Sequence, residues 1–128
     1  MIDREQAERF AATWIESWSR HDIEGILAHY EEDVEWSSPF VVQVLGEPSG
    51  ILRGKAAVCA YLEHGLSRYP ELEFELYGVL CGVRSVTLYY RSVNNLLAAE
   101  VFELGPSGRV RRVLCHYSEP AQAEGLDG

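Results

Sequence analysis

Three features of the 128-residue chain predict an α+β fold. Its first half repeats apolar residues at helical spacing, and from Glu71 onward apolar and polar residues alternate. Short connections rich in Gly and Asn join the alternating stretches. Three helices followed by consecutive hairpins lay the helices on one face of a curved antiparallel or mixed sheet. The length is that of one domain, residues 1–120, followed by a small, polar, frayed tail, 121–128.

Ala7, Phe10, Ala11, Trp14, Ile15 and Trp18 form one stripe at i, i+3, i+4, i+7 spacing. The first helix therefore runs from an Asp3–Gln6 capping pair to about Arg20-His21, with early acidic residues that suit its dipole. Asp22 reads as the N-cap of a shorter second helix carrying Ile23, Ile26, Leu27 and Tyr30, because its side-chain oxygen can accept from the free amides of the next turn. Glu31-Glu32-Asp33 closes that helix, Val34-Glu35-Trp36 alternates as a short strand, and Ser37-Ser38-Pro39 follows. Phe40 to Leu45 is expected to be extended, and Gly46-Glu47-Pro48-Ser49-Gly50 is a loop. Ile51-Leu52-Arg53-Gly54-Lys55 leads into a third helix bearing Val58, Tyr61, Leu62, Gly65, Leu66 and Tyr69. Pro70 ends it, since the residue before a proline is driven out of the α region. Leu72, Phe74 and Leu76 then face one way, and Glu71, Glu73 and Glu75 the other. Strands from Val86 to about Val93 and from Leu96 to Leu104 are joined by Asn94-Asn95, which tolerate positive φ. Gly105-Pro106-Ser107-Gly108 turns into the last strand, Arg109 to Tyr117.

The charge balance narrows the functional classes. Twenty acidic against eleven basic residues give a net charge of −9, with Lys55 the single lysine. Such a surface repels phosphate backbones and anionic membranes, which argues against nucleic-acid and membrane partners. No apolar run approaches the ~20 residues that span a bilayer. MIDREQAERF lacks the basic start and apolar stretch of a secretion signal, so a cytoplasmic location is expected. Cys59, Cys81 and Cys115 are scattered, with no CxxC or Cys/His ligand spacing; reduced thiols follow, and neither a metal nor a cofactor is expected. Arg109, Arg111 and Arg112 form the dense basic cluster, read as a solvated strand edge, as partners for Glu71 to Glu75, or as an anion site.

The helix, tight turn, helix, short strand and proline from Trp14 to Pro39, the Leu52-Arg53-Gly54 lead into the next helix, and the final strands joined by a Gly-x-x-Gly turn resemble the nuclear transport factor 2-like superfamily. The likeness is greatest to its SnoaL-like and ketosteroid-isomerase-like branches and spans nearly the whole chain. It implies a cone whose open mouth, between the helices and the concave sheet, holds a small apolar molecule. Members include isomerases, dehydratases, epoxide hydrolases, polyketide cyclases and non-catalytic binders. Ketosteroid isomerases set a tyrosine on helix one, an aspartate base before the proline, and a protonated aspartic acid on the penultimate strand. Matched through the Asp22 to Ile26 turn and the Gly105 to Gly108 turn, those places fall on Trp14, Ser38 and Glu100. Trp14 can donate a hydrogen bond but titrates nothing, and Ser38 is no base without a neighbour to take its proton. The Asp-Arg-Asp set of the epoxide hydrolases has no counterpart, since no aspartate lies between Asp33 and Asp127.

Glu100 is the leading candidate for chemistry. It shares parity with Leu96, Ala98, Phe102 and Leu104, on an apolar face where a charge is costly. A pair with Arg91, or a solvent-facing place at a sheet edge, is the structural alternative. Leu97, Ala99 and Val101 make the opposite face apolar too, which predicts a homodimer formed through the outer face of the last strands. His116 and Tyr117 take opposite faces, so only one lines the cone, and the resemblance favours Tyr117 as the second catalytic residue. His21, His29 and His64 read as solvated. Trp14, Trp18, Tyr30, Trp36, Tyr61 and Phe74 are core aromatics whose rings also hold a ligand if they reach the mouth. Ser38, Phe40, Phe102, Val113 and Cys115 complete the expected ligand-binding set. The reading that results is an isomerase, cyclase or dehydratase acting on a small hydrophobic carbonyl compound, with Glu100 as general acid/base and Tyr117 or Trp14 orienting the carbonyl oxygen. A non-catalytic binding module with the same pocket is the rival, and a dimerisation scaffold with a self-filled pocket is the third class.

Overall fold

The structure, a computed structural model, describes residues 1–119, and the expected tail lies outside the described residues. α1 (Arg4–Ser19) begins where its cap demands: the Asp3 carboxylate accepts from the Gln6 amide at 2.8 Å. It buries Ala7, Ala11 and Trp14. His21 turns the chain at φ 54°, and Asp22 caps α2 (Ile23–Leu27) by accepting from the Gly25 amide at 3.1 Å. α2 stops sooner than its apolar spacing suggested. Tyr30 opens β1 (Tyr30–Ser37), and Glu31-Glu32-Asp33 lies within that strand. Tertiary pairing outweighs helical spacing here, because β1 has partners on both edges. It runs antiparallel to β2 (Ile51–Arg53) and parallel to β6 (Val110–Tyr117).

Phe40 to Leu45, expected from sequence to be extended, lies instead in helix α3 (Pro39–Leu45). Ser38 Oγ accepts from the Phe40 amide at 3.1 Å, and Pro39 takes the first helical position, where a missing N–H is not needed. Gly46 ends the helix at φ 69°, a left-handed conformation that glycine adopts without strain. Caps at both ends outweigh the strand preference of Val41, Val42 and Val44.

α4 (Lys55–Arg68) buries Val58, Leu62 and Leu66. β3 (Glu75–Cys81) starts four residues later than the alternation implied, so Glu71 to Phe74 precede the strand. With β4 (Ser85–Arg91) and β5 (Leu97–Leu104) it completes a mixed six-stranded sheet of order β2-β1-β6-β5-β4-β3. Asn94 and Asn95 do take positive φ, 55° and 61°, but within a 3-10 turn over Val93–Asn95 rather than in a two-residue hairpin. Among the described residues, four α-helices accompany the sheet. Its inner face carries one core that joins Trp14, Ile26 and Val58 of the helices to Tyr30, Leu88, Phe102 and Val113 of the strands. On the outer face, Arg111 and Arg112 pair with Glu103 and Glu35, not with the Glu71 to Glu75 segment.

Candidate functional site

β5 places the central side chain. Its burial alternates, so Ala98, Glu100, Phe102 and Leu104 turn inward and Leu97, Ala99, Val101 and Glu103 turn outward. Glu100 is 3% exposed and stands in register between Leu88 of β4 and Cys115 of β6. The Tyr90 hydroxyl donates to Glu100 Oε1 at 2.6 Å, and the Cys115 thiol is its other close polar neighbour. Among the described residues no cation reaches it. Arg91, the partner in the structural alternative, is turned outward by the parity of β4 and lies 3.5 Å from Glu75. Burial therefore dominates, pushing the Glu100 carboxyl up to about 7 against the opposing hydrogen bonds from Tyr90 and Cys115. Burial first, then the charge of Glu100, raises Tyr90 well above the ordinary tyrosine value. Tyr117 is raised by burial and then by Cys115 and Glu100. Both phenols are thus O–H donors at neutral pH.

The carboxyl opens on a cavity of about 270 Å³ between the inner sheet face, α3 and α4. Trp18, Phe74 and Tyr90 form one aromatic run on its wall, with centroids 4.7 Å and 4.8 Å apart. Trp36 and Tyr61 form another at 5.2 Å, and Phe40 meets Tyr117 edge-on at 4.6 Å. The Trp18 indole N–H is buried with no hydrogen-bond partner among the described residues. Seven of the residues singled out from sequence thus share the wall: Glu100, Tyr117, Trp18, Trp36, Phe40, Tyr61 and Phe74.

Six others do not reach it. Trp14, Tyr30, Phe102 and Val113 are fully buried in the core behind the wall. Trp14 packs against Phe74, Tyr90 and Phe102, which removes it as an orienting group for a ligand. Cys115 is buried beside Glu100, and Ser38 is occupied as the cap of α3. His116 is exposed on the outer face, with Nδ1 3.2 Å from the Ala99 carbonyl. Two histidines expected to be solvated are half-buried: His21 Nε2 lies 2.9 Å from the Leu72 carbonyl, and His29 packs against Phe10, burial lowering its pKa.

Sequence reasoning missed the rim, where Gln43 of α3 and His64 and Arg68 of α4 join the wall. α3 itself was not anticipated. The i, i+4 spacing of His64 and Arg68, which puts both on one helix face, was the available signal for the other two. Among the described residues, no group of three or more His, Cys, Asp or Glu side chains gathers as a metal site would require, and no helix is long and apolar enough to cross a membrane.

Residues 11–116 match the family model of the SnoaL-like domain. No protein of curated function matches the sequence. A solved SnoaL-like protein of unknown function from Burkholderia thailandensis E264 is 46% identical with a TM-score of 0.90, over 91% of this chain and 98% of that one. A nuclear transport factor 2-like protein of unknown function from Burkholderia pseudomallei K96243 shares the fold at 18% identity and a TM-score of 0.74, over 95% and 98% of the two chains. A provisionally assigned ketosteroid isomerase from Kribbella flavida DSM 17836 does so at 19% and 0.68, over 90% and 79%. With the family model covering most of its length and a near-superimposable relative of the same kind, the chain belongs to the SnoaL-like family.

Proposed function

We propose that the cavity takes a small, largely hydrophobic carbonyl compound and that Glu100 moves a proton on it, the chemistry of a cofactor-independent isomerase, cyclase or lyase. One observation carries this reading: a buried carboxyl on the cavity wall with a tyrosine O–H at 2.6 Å on one oxygen and no cation in reach among the described residues. An acid whose pKa lies near 7 is present in both forms at neutral pH, where general acid/base catalysis is most effective. As carboxylate, Glu100 accepts an α-proton on Oε2, the oxygen that Tyr90 leaves free. The C–H electron pair passes into an enolate, and the same acid returns the proton to a second carbon, so the isomerisation balances without a co-reactant. Tyr117 supplies an O–H for the oxygen on which charge develops, and the aromatic wall keeps water away.

A binding module is the second reading, favoured by the fact that Glu100 is the only carboxyl on the described wall. Deuterium exchange separates the two. 2-Tetralone, a bicyclic ketone with acidic α-protons, is incubated with the protein in D2O at neutral pD and followed by mass spectrometry. The enzyme reading expects protein-dependent α-deuteration that falls by about 10²–10⁴ in Glu100→Gln. Binding without exchange above buffer leaves the binding module, and absence of binding removes both for this class of compound.

A further inference from the structure

We propose that the carbonyl compound is also an anion, carrying a carboxylate or similar acidic group at the end opposite its reacting centre, where Arg68 holds it with His64 alongside. This rests on the ligand reading above and adds the substrate's charge. The cavity is polarised along its length. Glu100, Tyr90 and Tyr117 sit at the sheet end, whereas Gln43, His64 and Arg68 are exposed residues at the α3–α4 end. The rest of the wall is mostly aromatic and aliphatic, so a ligand that satisfies both groups has an apolar body and two polar termini.

Arg68 is the only permanent cation on the described wall. Of the ten arginines in the sequence, Arg4, Arg9, Arg20, Arg53, Arg91, Arg111 and Arg112 each have a carboxylate within 4.0 Å. Arg68, like Arg84 and Arg109, has none among the described residues, but of these three it alone lines the cavity. Its guanidinium carbon lies 6.0 Å from the centre of the Tyr69 ring, a contact that leaves its five N–H donors available. Opposing the dipole of α4 explains a cation at that helix end. It does not explain a cation that faces a cavity without a carboxylate in a chain of net charge −9. The surrounding field disfavours anions, and Glu71 and Glu73 line the groove that adjoins Arg68 on its far side. An anionic ligand is therefore held only in contact with the guanidinium, and a neutral ligand gains nothing from it.

The test compares 2-tetralone with its 6-carboxylate, in which the ketone and the acid stand at opposite ends of the same ring system. Quenching of tryptophan fluorescence reports binding to the full chain at low salt, since Trp18 and Trp36 line the cavity. The carboxylate should bind about tenfold tighter, an advantage that shrinks as sodium chloride screens it. Arg68→Gln should abolish the preference for the carboxylate over the neutral ketone, while Arg68→Lys keeps part of it. Removing the competing charges in Glu71→Gln/Glu73→Gln should strengthen carboxylate binding alone. Equal affinity of the two compounds, or a preference that survives Arg68→Gln, overturns the inference and leaves the proposed function standing. If neither compound binds, both fall together.

Discussion

On β5, Glu100 and Glu103 are three residues apart on opposite faces of the sheet, and their charges are handled by different means. Glu103 turns outward, where Arg111 Nη2 lies at 2.6 Å and Arg112 Nη1 at 3.8 Å. The pairing continues across the sheet, from Arg112 to Glu35 at 3.3 Å and from Glu35 to Arg53 at 2.6 Å. Glu100 turns inward, where a phenol and a thiol meet it and burial itself disfavours its charge. The outer face meets its carboxylates with guanidinium groups. The inner face keeps one carboxyl poised between two protonation states, which is what proton transfer needs. The faces also differ in what covers their apolar residues. Leu88, Phe102 and Val113 are closed off by the helices, whereas Leu80, Tyr89 and Leu97 stand 58%, 39% and 38% exposed on the other side.

Breaking the inner face should have the largest effect. Phe102 is fully buried, with Phe10 at 4.9 Å and Trp14 at 5.7 Å edge-on. Phe102→Ala should cost about 3–5 kcal/mol, because transfer free energy is lost and a cavity remains. Urea denaturation should show a lower midpoint at unchanged slope; a loss under ~1 kcal/mol places the core elsewhere.

Next in size is the pH dependence of Glu100→Gln. The folded carboxyl titrates at about 7, above the ~4.3 of an unfolded glutamate. Between those values the folded state holds a proton that the unfolded chain has released. The contribution of Glu100 is therefore complete below ~4.3, declines as pH rises to about 7, and is flat beyond it. Glutamine does not ionise, so the variant should gain on the order of 3 kcal/mol over wild type between acid and mildly alkaline pH. A difference of opposite sign reveals a carboxylate stabilised by the fold and removes the acid role.

The contrast between the faces also marks what could be read from sequence. Strand parity placed Glu100 among apolar residues, and Asp3 and Asp22 marked their caps, because these signals depend on near neighbours. The site's other members depend on which elements meet. Arg91, the alternative partner for Glu100, instead meets Glu75, because β4 pairs with β3 in that register. Trp14 and Ser38, the places that the resemblance matched to catalytic groups, are here core and helix cap. Phe40 to Leu45 looked extended because three valines outweighed the Ser-Pro start and the Gly46 stop. With α3 unseen, the place of Gln43 on the rim was unseen too.

A smaller change, in mass rather than stability, tests the outer face. Leu80, Thr87, Val101 and Leu114 adjoin one another across four strands, as do Tyr89, Ala99 and His116 across three. We read this surface as covered by a second copy, since an apolar sheet face of that kind is rarely left to water. Light scattering should then give about twice the 14.4 kDa of the chain, and Val101→Arg should give monomers that still bind 2-tetralone. A wild-type protein of single mass removes the dimer without touching the cavity.

Glu103→Gln should have the least effect, and it is the direct control for Glu100→Gln. The Arg111 and Glu103 side chains are 48% and 24% exposed, so water competes for both and each retains hydration if the pair is lost. Pairs of this kind contribute about 0–1 kcal/mol, and the neutral amide can still accept one hydrogen bond from Arg111. Arg112 also keeps Glu35, so no cation is stranded. The loss should shrink further at high ionic strength, as screening weakens what the pair supplied. Deuterium exchange should be unaltered, because Glu103 faces away from the cavity and touches none of its wall residues in the ion-pair ladder. If this substitution reduces exchange as Glu100→Gln does, the two faces are coupled through β5, and burial alone no longer explains the role of Glu100 in proton transfer.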